Sequence, residues 1–233
     1  MISSRKIHAL CAKDAKSLLH NVFILSGILI IPVMAFVFNL MADEFVIDLV
    51  LMIVQMNVLM NGANIICVMI AEEKEKHTLN VLVSSTVSGL DFLLSKLLVS
   101  VVLTMAVSVA VYFMFDLMGI MAFGQFMLIT GVAVLPAAAI GAIIGITMKT
   151  QAAASSAVAP LFMVFMFLPM LVPRDSAVWN VLQYLFPEQM VLGLIAVYRG
   201  EAFMTYIGFI LANFAVLFVA FLLVYRKKGL SAG

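Results

Sequence analysis

Six stretches of the chain are almost continuously apolar, and most charged residues fall in short clusters between them. The stretches are Val22–Leu40, Phe45–Ala71, Leu93–Phe115, Phe126–Met148, Ala152–Val172 and Met204–Tyr225. Each approaches or exceeds the roughly 20 apolar residues that carry an α-helix across a bilayer. A β-barrel would need apolar residues alternating with polar ones, and these runs do not alternate. Three contain a proline (Pro32, Pro136, Pro160), which a spanning helix tolerates when neighbours satisfy the freed backbone groups. The pattern predicts an all-α polytopic membrane protein, with six transmembrane helices in a single domain over residues 1–233.

Composition leads the same way. The 233 residues are 65% hydrophobic and 11% charged, whereas a soluble domain has about 25% charged residues. That is too little polar surface to coat a water-soluble globule. A net charge of +1 gives no case for nucleic acid or an acidic substrate. The two cysteines, Cys11 and Cys67, make neither a disulfide framework nor a metal-ligand spacing, and a reduced environment is expected for both.

The basic residues orient the bundle. Arg5, Lys6, Lys13 and Lys16 precede the first run; Lys74, Lys76 and Lys96 flank the connection between runs two and three. Lys149 lies between runs four and five, and Arg226, Lys227 and Lys228 follow the sixth. The other side has only Arg174 and Arg199, with acids such as Asp43, Glu44 and Asp116. This asymmetry predicts that both termini are cytosolic. The first run exceeds a signal-peptide core, and Asn39–Asp43 offers no A-x-A cleavage site, so it is expected to be retained. Before it, Ile7, Leu10, Cys11, Leu18 and Leu19 recur near helical spacing among basic residues, which predicts an amphipathic interfacial helix within residues 1–21.

Two connections are longer than turns. One is Glu72–Asp91, expected on the cytosolic side. The other is Pro173–Phe203, on the opposite side, which carries Trp179, Tyr184, Phe186, Pro187 and Tyr198. That aromatic density suits the headgroup region. It predicts re-entrant or interfacial helices, broken at Pro187 and Gly200, before the last span.

Most catalytic signatures are missing. There is no G-x-x-x-x-G-K-[ST] phosphate loop, no G-x-S-x-G, no H-E-x-x-H and no dinucleotide fingerprint. The histidines, His8, His20 and His77, all fall beside the expected cytosolic face, and none lies at membrane depth as a proton relay or metal path would require. Glu72-Glu73 invites comparison with the E-E-x-x-x-R of intramembrane glutamate proteases. His77 stands where that pattern has arginine, and no histidine lies within a span, so a protease is not expected.

The most informative stretch runs from Ala71 to Lys96. It opens with the alternating charges Glu72-Glu73-Lys74-Glu75-Lys76. Leu79, Leu82, Val83 and Thr86 then share a helical face. Ser88-Gly89 ends that face, and Asp91 precedes the third run. On physics alone such a helix either lies on lipid or sits in a partner's groove. The residues also resemble a family: the permease subunits of type-2 ABC exporters, whose segment between spans two and three reads approximately E-x-E-x-G-T-L-x-x-L-L-x-[ST]-P-[VL]-[ST]-x-x-[ED]-x-L-L-x-[GS]-K. The matching positions are Glu73, Glu75, Thr78, Leu79, Leu82, Ser85, Val87, Ser88, Asp91, Leu93, Leu94 and Lys96. His77 replaces the usual glycine and Thr86 the usual proline. Pro187-Glu188-Gln189-Met190, Leu192-Gly193-Leu194 and Arg199-Gly200 are weakly similar to the family's external segment.

The resemblance implies a coupling helix within residues 72–91, seated in a groove of a separate ABC ATPase subunit. Glu73, Glu75, Thr78, Leu79, Leu82, Ser85, Val87 and Ser88 would serve that contact. It implies no cofactor on this chain, since ATP and magnesium would be held by the ATPase. A second permease subunit, identical or related, and membrane lipid complete the expected partners. The location implied is a cell membrane, such as the plasma membrane of a prokaryote. The implied function is export of a hydrophobic or amphipathic drug, peptide or lipid-like substrate. The alternatives are a non-transporting immunity or sensor partner with the same fold, or a secondary carrier.

Polar residues within the runs leave two readings. Asn57, Asn61 and Asn64 share one face of the second helix, with Asp48 and Gln55 roughly opposite. They either bond neighbouring helices or line a substrate path, together with Ser155 and Ser156 at the start of the fifth. Ser100, Thr104, Ser108 and Tyr112 recur every fourth residue, as do Ala133, Ala137, Gly141 and Gly145. These small-residue ridges predict close helix packing.

Overall fold

The computed structural model describes residues 10–11, 13–14, 16–17, 21–41, 47–76, 89–117 and 121–228, with backbone alone for 89–91 and 228. The long helices are α1 (Val22–Met41), α2 (Ile47–Glu75), α3 (Gly89–Met114), α4 (Phe123–Thr147) and α5 (Gln151–Leu171). A short α6 (Trp179–Leu182) and α7 (Phe186–Tyr198) follow, and α8 (Met204–Lys228) closes the chain. Among the described residues there is no strand. Six helices among the described residues are long and apolar enough to cross a membrane, in the register the apolar runs predict. The protein is an all-α polytopic membrane protein.

Burial sorts the helices into a centre and a rim. The apolar window of α2 is 78% buried, against 17% for α1 and α5 and 11% for α8. Helix α2 has the least apolar window of the six, with Gln55, Asn57, Asn61 and Asn64 buried on it. Such amides need protein partners rather than lipid, and α2 accordingly packs against α1, α3, α4 and α5. The rim presents Leu29, Val33, Met163, Leu171, Val216 and Leu223, each more than half exposed. In water every 100 Å² of such surface would cost about 2.5 kcal/mol; against acyl chains it costs nothing comparable.

The predicted ridge on α4 is where α2 and α4 meet. Gly62 of α2 faces Ala137 and Val134, and Gly141 and Gly145 of α4 face the backbone of Ala63 and Cys67. A Cβ on Gly145 would lie 2.7 Å from the Cys67 carbonyl oxygen. Small residues allow this approach, and dispersion between the backbones holds it.

Three boundaries differ from the sequence expectation. Helix α2 continues one charged turn beyond Ala71, to Glu75, because those charges find partners on other elements. Helix α3 starts at Gly89 rather than Leu93, so Gly89 and Asp91 lie in its first turn instead of ahead of it. Pro187 opens α7 instead of breaking it; the first helical turn has no use for its missing N–H. Gly200 does end α7. With φ at +72° it donates to Val197 O at 3.1 Å, and Glu201 N–H donates to Ala196 O at 2.8 Å, the paired bonds of a glycine C-cap.

At 13 residues α7 spans about 20 Å, too short to cross. Its Phe186, Met190 and Leu194 share a core with Phe126 and Ile129 of α4 and Ile210 of α8. It is therefore wedged between the ends of those helices, and Asn213 of α8 donates to Tyr184 O at 2.8 Å to fix the turn before it.

The other end of the bundle gathers most of the lysines. There Ile70, Phe92, Ile146 and Phe221 pack together, with Tyr225 beside them, so the end of α8 lies next to the end of α2. The helical residues before α1 reach the same place: Leu10 is buried and Cys11 packs near Met69 and Val99.

Candidate functional site

The last turn of α2 is a hub. Four consecutive charged side chains, about 100° apart around the helix, reach four different parts of the chain. Glu72 accepts from Ser17 Oγ at 2.8 Å, Asn21 Nδ2 at 3.0 Å and Lys76 Nζ at 2.5 Å. Glu73 accepts from Lys13 Nζ at 2.6 Å and from Lys96 Nζ at 3.3 Å. Lys74 donates to Ile146 O at 2.5 Å and Met148 O at 2.6 Å, the carbonyl end of α4. Glu75 accepts from Gln151 N–H at 2.9 Å, the amide end of α5. The last two contacts place a cation at a helix C-terminus and an anion at an N-terminus, both the favourable sense. Asn21 Nδ2 also donates to Gln151 Oε1 at 2.7 Å, closing the circle.

Beneath the hub is a buried ion triad. Lys96, in the second turn of α3, is 1% exposed and lies between Asp14, at 2.5 Å and 3% exposed, and Glu73, 5% exposed. Its ammonium also sits 5.1 Å from the Phe92 ring centroid, a favourable cation–π distance. Burial pushes the Asp14 carboxyl above its usual range, although Lys96 draws it back down. Asp14 Oδ2 is buried and has no hydrogen-bond partner among the described residues. The triad borders a cavity of about 110 Å³ lined by three lysines (Lys13, Lys76, Lys96) and three acids (Asp14, Glu72, Glu73), with Ser17 and Met69. Equal numbers of each sign make it a poor ion site. Among the described residues no group of His, Cys, Asp and Glu could hold a metal.

The residues singled out in the sequence divide three ways. Glu73 and Glu75 are both in the hub, but Glu73 is turned inward onto its own chain. Thr78, Leu79, Leu82, Ser85, Val87 and Ser88 lie outside the described residues. Their segment leaves from Lys76 and returns at Gly89, so the ion pair Glu73–Lys96 ties its two flanks together.

The asparagines form a ladder inside the bundle. Asn57 Nδ2 donates to Thr104 O at 3.0 Å and Ser108 Oγ at 2.9 Å on α3. Asn61 donates to Asn57 Oδ1 at 2.8 Å, and Asn64 to Phe23 O of α1 at 3.4 Å. Ser100 of α3 adds a bond to Gly62 O at 2.9 Å. Ser155 is half-buried and Ser156 exposed near the start of α5, away from the ladder. Sequence reasoning missed Asp14, Ser17, Asn21 and the roles of Lys74 and Lys96. Their partners are 23 to 130 positions away, beyond any local pattern.

A family model described as ABC-2 family transporter protein matches residues 38–226 of the 233. The chain belongs to the ABC-2 transporter family. No curated protein matches it. As an ABC-2 permease the chain is a membrane transport component, and the matched region takes in the hub from α2 onward, together with the segment between Lys76 and Gly89. Asp14, Ser17 and Asn21 lie before the matched region.

Proposed function

We propose that the chain is the permease subunit of an ATP-driven exporter, paired with a second permease subunit and powered by a separate ABC ATPase that holds ATP and magnesium. The observation that carries the reading is the hub. A segment with the sequence of a coupling helix is tied at its base, through Glu73–Lys96, to α3 and the N-terminal segment, and through Lys74 and Glu75 to α4 and α5. A push on residues 77–88 by an ATPase would reach four elements through contacts of hydrogen-bond length. Positive charge at this end, from Lys13, Lys16, Lys74, Lys76, Lys96 and Lys149, supports placing it and both termini in the cytosol of a cell membrane.

The cargo proposed is hydrophobic or amphipathic. The exposed face of α5 offers Met163, Val164, Phe167 and Met170, with Ser155 and Ser156 near its start as the polar contribution. The Asn57–Asn61–Asn64 ladder is occupied with interhelical bonds, which supports a packing role before a path-lining one. Co-reconstitution in liposomes tests the function. Efflux of a hydrophobic dye that requires ATP and the ATPase subunit agrees with it, and efflux driven by an ion gradient without ATP contradicts it.

A further inference from the structure

We propose that Asp14 and Lys96 are positioning residues for coupling: their buried ion pair clamps the N-terminal segment onto the base of the coupling segment, making it a third moving part of the transmission. The proposal rests on the reading above that residues 77–88 meet an ATPase. An N-terminal amphipathic helix would be expected only to lie on lipid, yet its described part is engaged on its protein side. Leu10 is 7% exposed and Asp14 3%. Cys11 Sγ lies 3.7 Å from Ser95 O, Asp14 holds Lys96 at 2.5 Å, and Lys13 and Ser17 hold Glu73 and Glu72 at 2.6 and 2.8 Å.

The chemistry of the triad makes the clamp a charge device. Lys96 is buried and reaches two carboxylates on two elements, so it cannot follow one without loosening the other. A buried ion pair contributes little net stability over an apolar or neutral replacement, but loss of one partner strands a charge. Asp14 Oδ2, beside the cavity and without a partner among the described residues, leaves room for the pair to re-form in a second geometry when α3 moves. What the pair supplies is register between the segment, α2 and α3.

Two measurements on the full chain in membranes test this. In a Cys67→Ala background, maleimide labelling of Cys11 is compared between the parent and Lys96→Gln. Lys96 lowers the Cys11 pKa while burial and Asp14 raise it; with the segment still docked, Lys96→Gln would slow labelling, because less thiolate is present. Undocking predicts the opposite sign, a rise of about tenfold. An unchanged or slower rate overturns the clamp. With the ATPase subunit present, Asp14→Asn and Lys96→Gln are each expected to reduce substrate moved per ATP by about tenfold. The neutral double variant Asp14→Asn/Lys96→Gln should regain parental melting temperature but not coupling. Full coupling in the double variant overturns the positioning role, since the pair would then be only structural. If the unmodified chain recruits no ATPase, the functional reading fails, and the labelling arm still decides the docking.

Discussion

Gly141 of α4 lies against the carbonyl of Ala63 in α2, with no room between the two backbones for a side chain. A Cβ placed there would also stand 2.7 Å from Ile66 Cγ2. Both obstacles belong to the most buried helix, so neither can swing aside. Gly141→Ala is expected to force the helices apart and cost about 1–3 kcal/mol, read as a lower melting temperature in detergent. Gly208→Ala, with nothing within 4 Å of its position in α8 among the described residues, should not lower it. Equal effects of the two substitutions would contradict the packing.

The two ridges that make this interface and its neighbour were legible in the sequence. Ala133, Ala137, Gly141 and Gly145 recur every fourth residue, and so do Ser100, Thr104 and Ser108, because residues four apart share a helix face. The six spans were legible for the same kind of reason, each being a long run of one chemistry. Helix ends were less so: Glu72–Glu75 read as a loop because four charges in sequence look solvated, and only distant partners keep them helical. The hub itself could not be read. Lys96 pairs with Asp14 across 82 positions and Asn21 with Gln151 across 130, and no local period records such distances. The proposed coupling segment rests on resemblance, while the tie between its flanks, Glu73 to Lys96, came only from the fold.

Asn57 tests whether the polar face of α2 binds helices or substrate. Its amide makes two bonds to α3 and accepts one from Asn61. Asn57→Leu should cost about 0.6 kcal/mol for each interhelical hydrogen bond lost, and at most about 1.7 kcal/mol for any one of them. Transport per folded molecule should be unchanged across several substrates. A substrate-selective change in efflux, with normal melting, would assign the face to the path instead.

Glu188, in the first turn of α7, gives a pH signature. Burial raises its pKa above the ordinary 4.5, with Arg174 and the Gln55 side chain offsetting part of the rise. The folded protein thus holds this proton more tightly than the unfolded chain. Its contribution to stability is fullest below pH 4.5 and is lost as pH rises through the elevated value. Glu188→Gln removes that loss, so the variant's melting temperature relative to the parent should be higher at pH 7.5 than at pH 5. A difference that grows on acidification would contradict the burial.

The hub has meaning as a transmission only if something docks on the segment it anchors. Leu82 lies on the helical face that the sequence assigns to that contact. The most direct measurement is affinity purification of the tagged chain and its Leu82→Asp variant from membranes containing the ABC ATPase subunit. The expected result is ATPase recovered with the parent and lost with Leu82→Asp, while both chains insert and melt alike. Undiminished ATPase recovery and transport with Leu82→Asp would contradict the account.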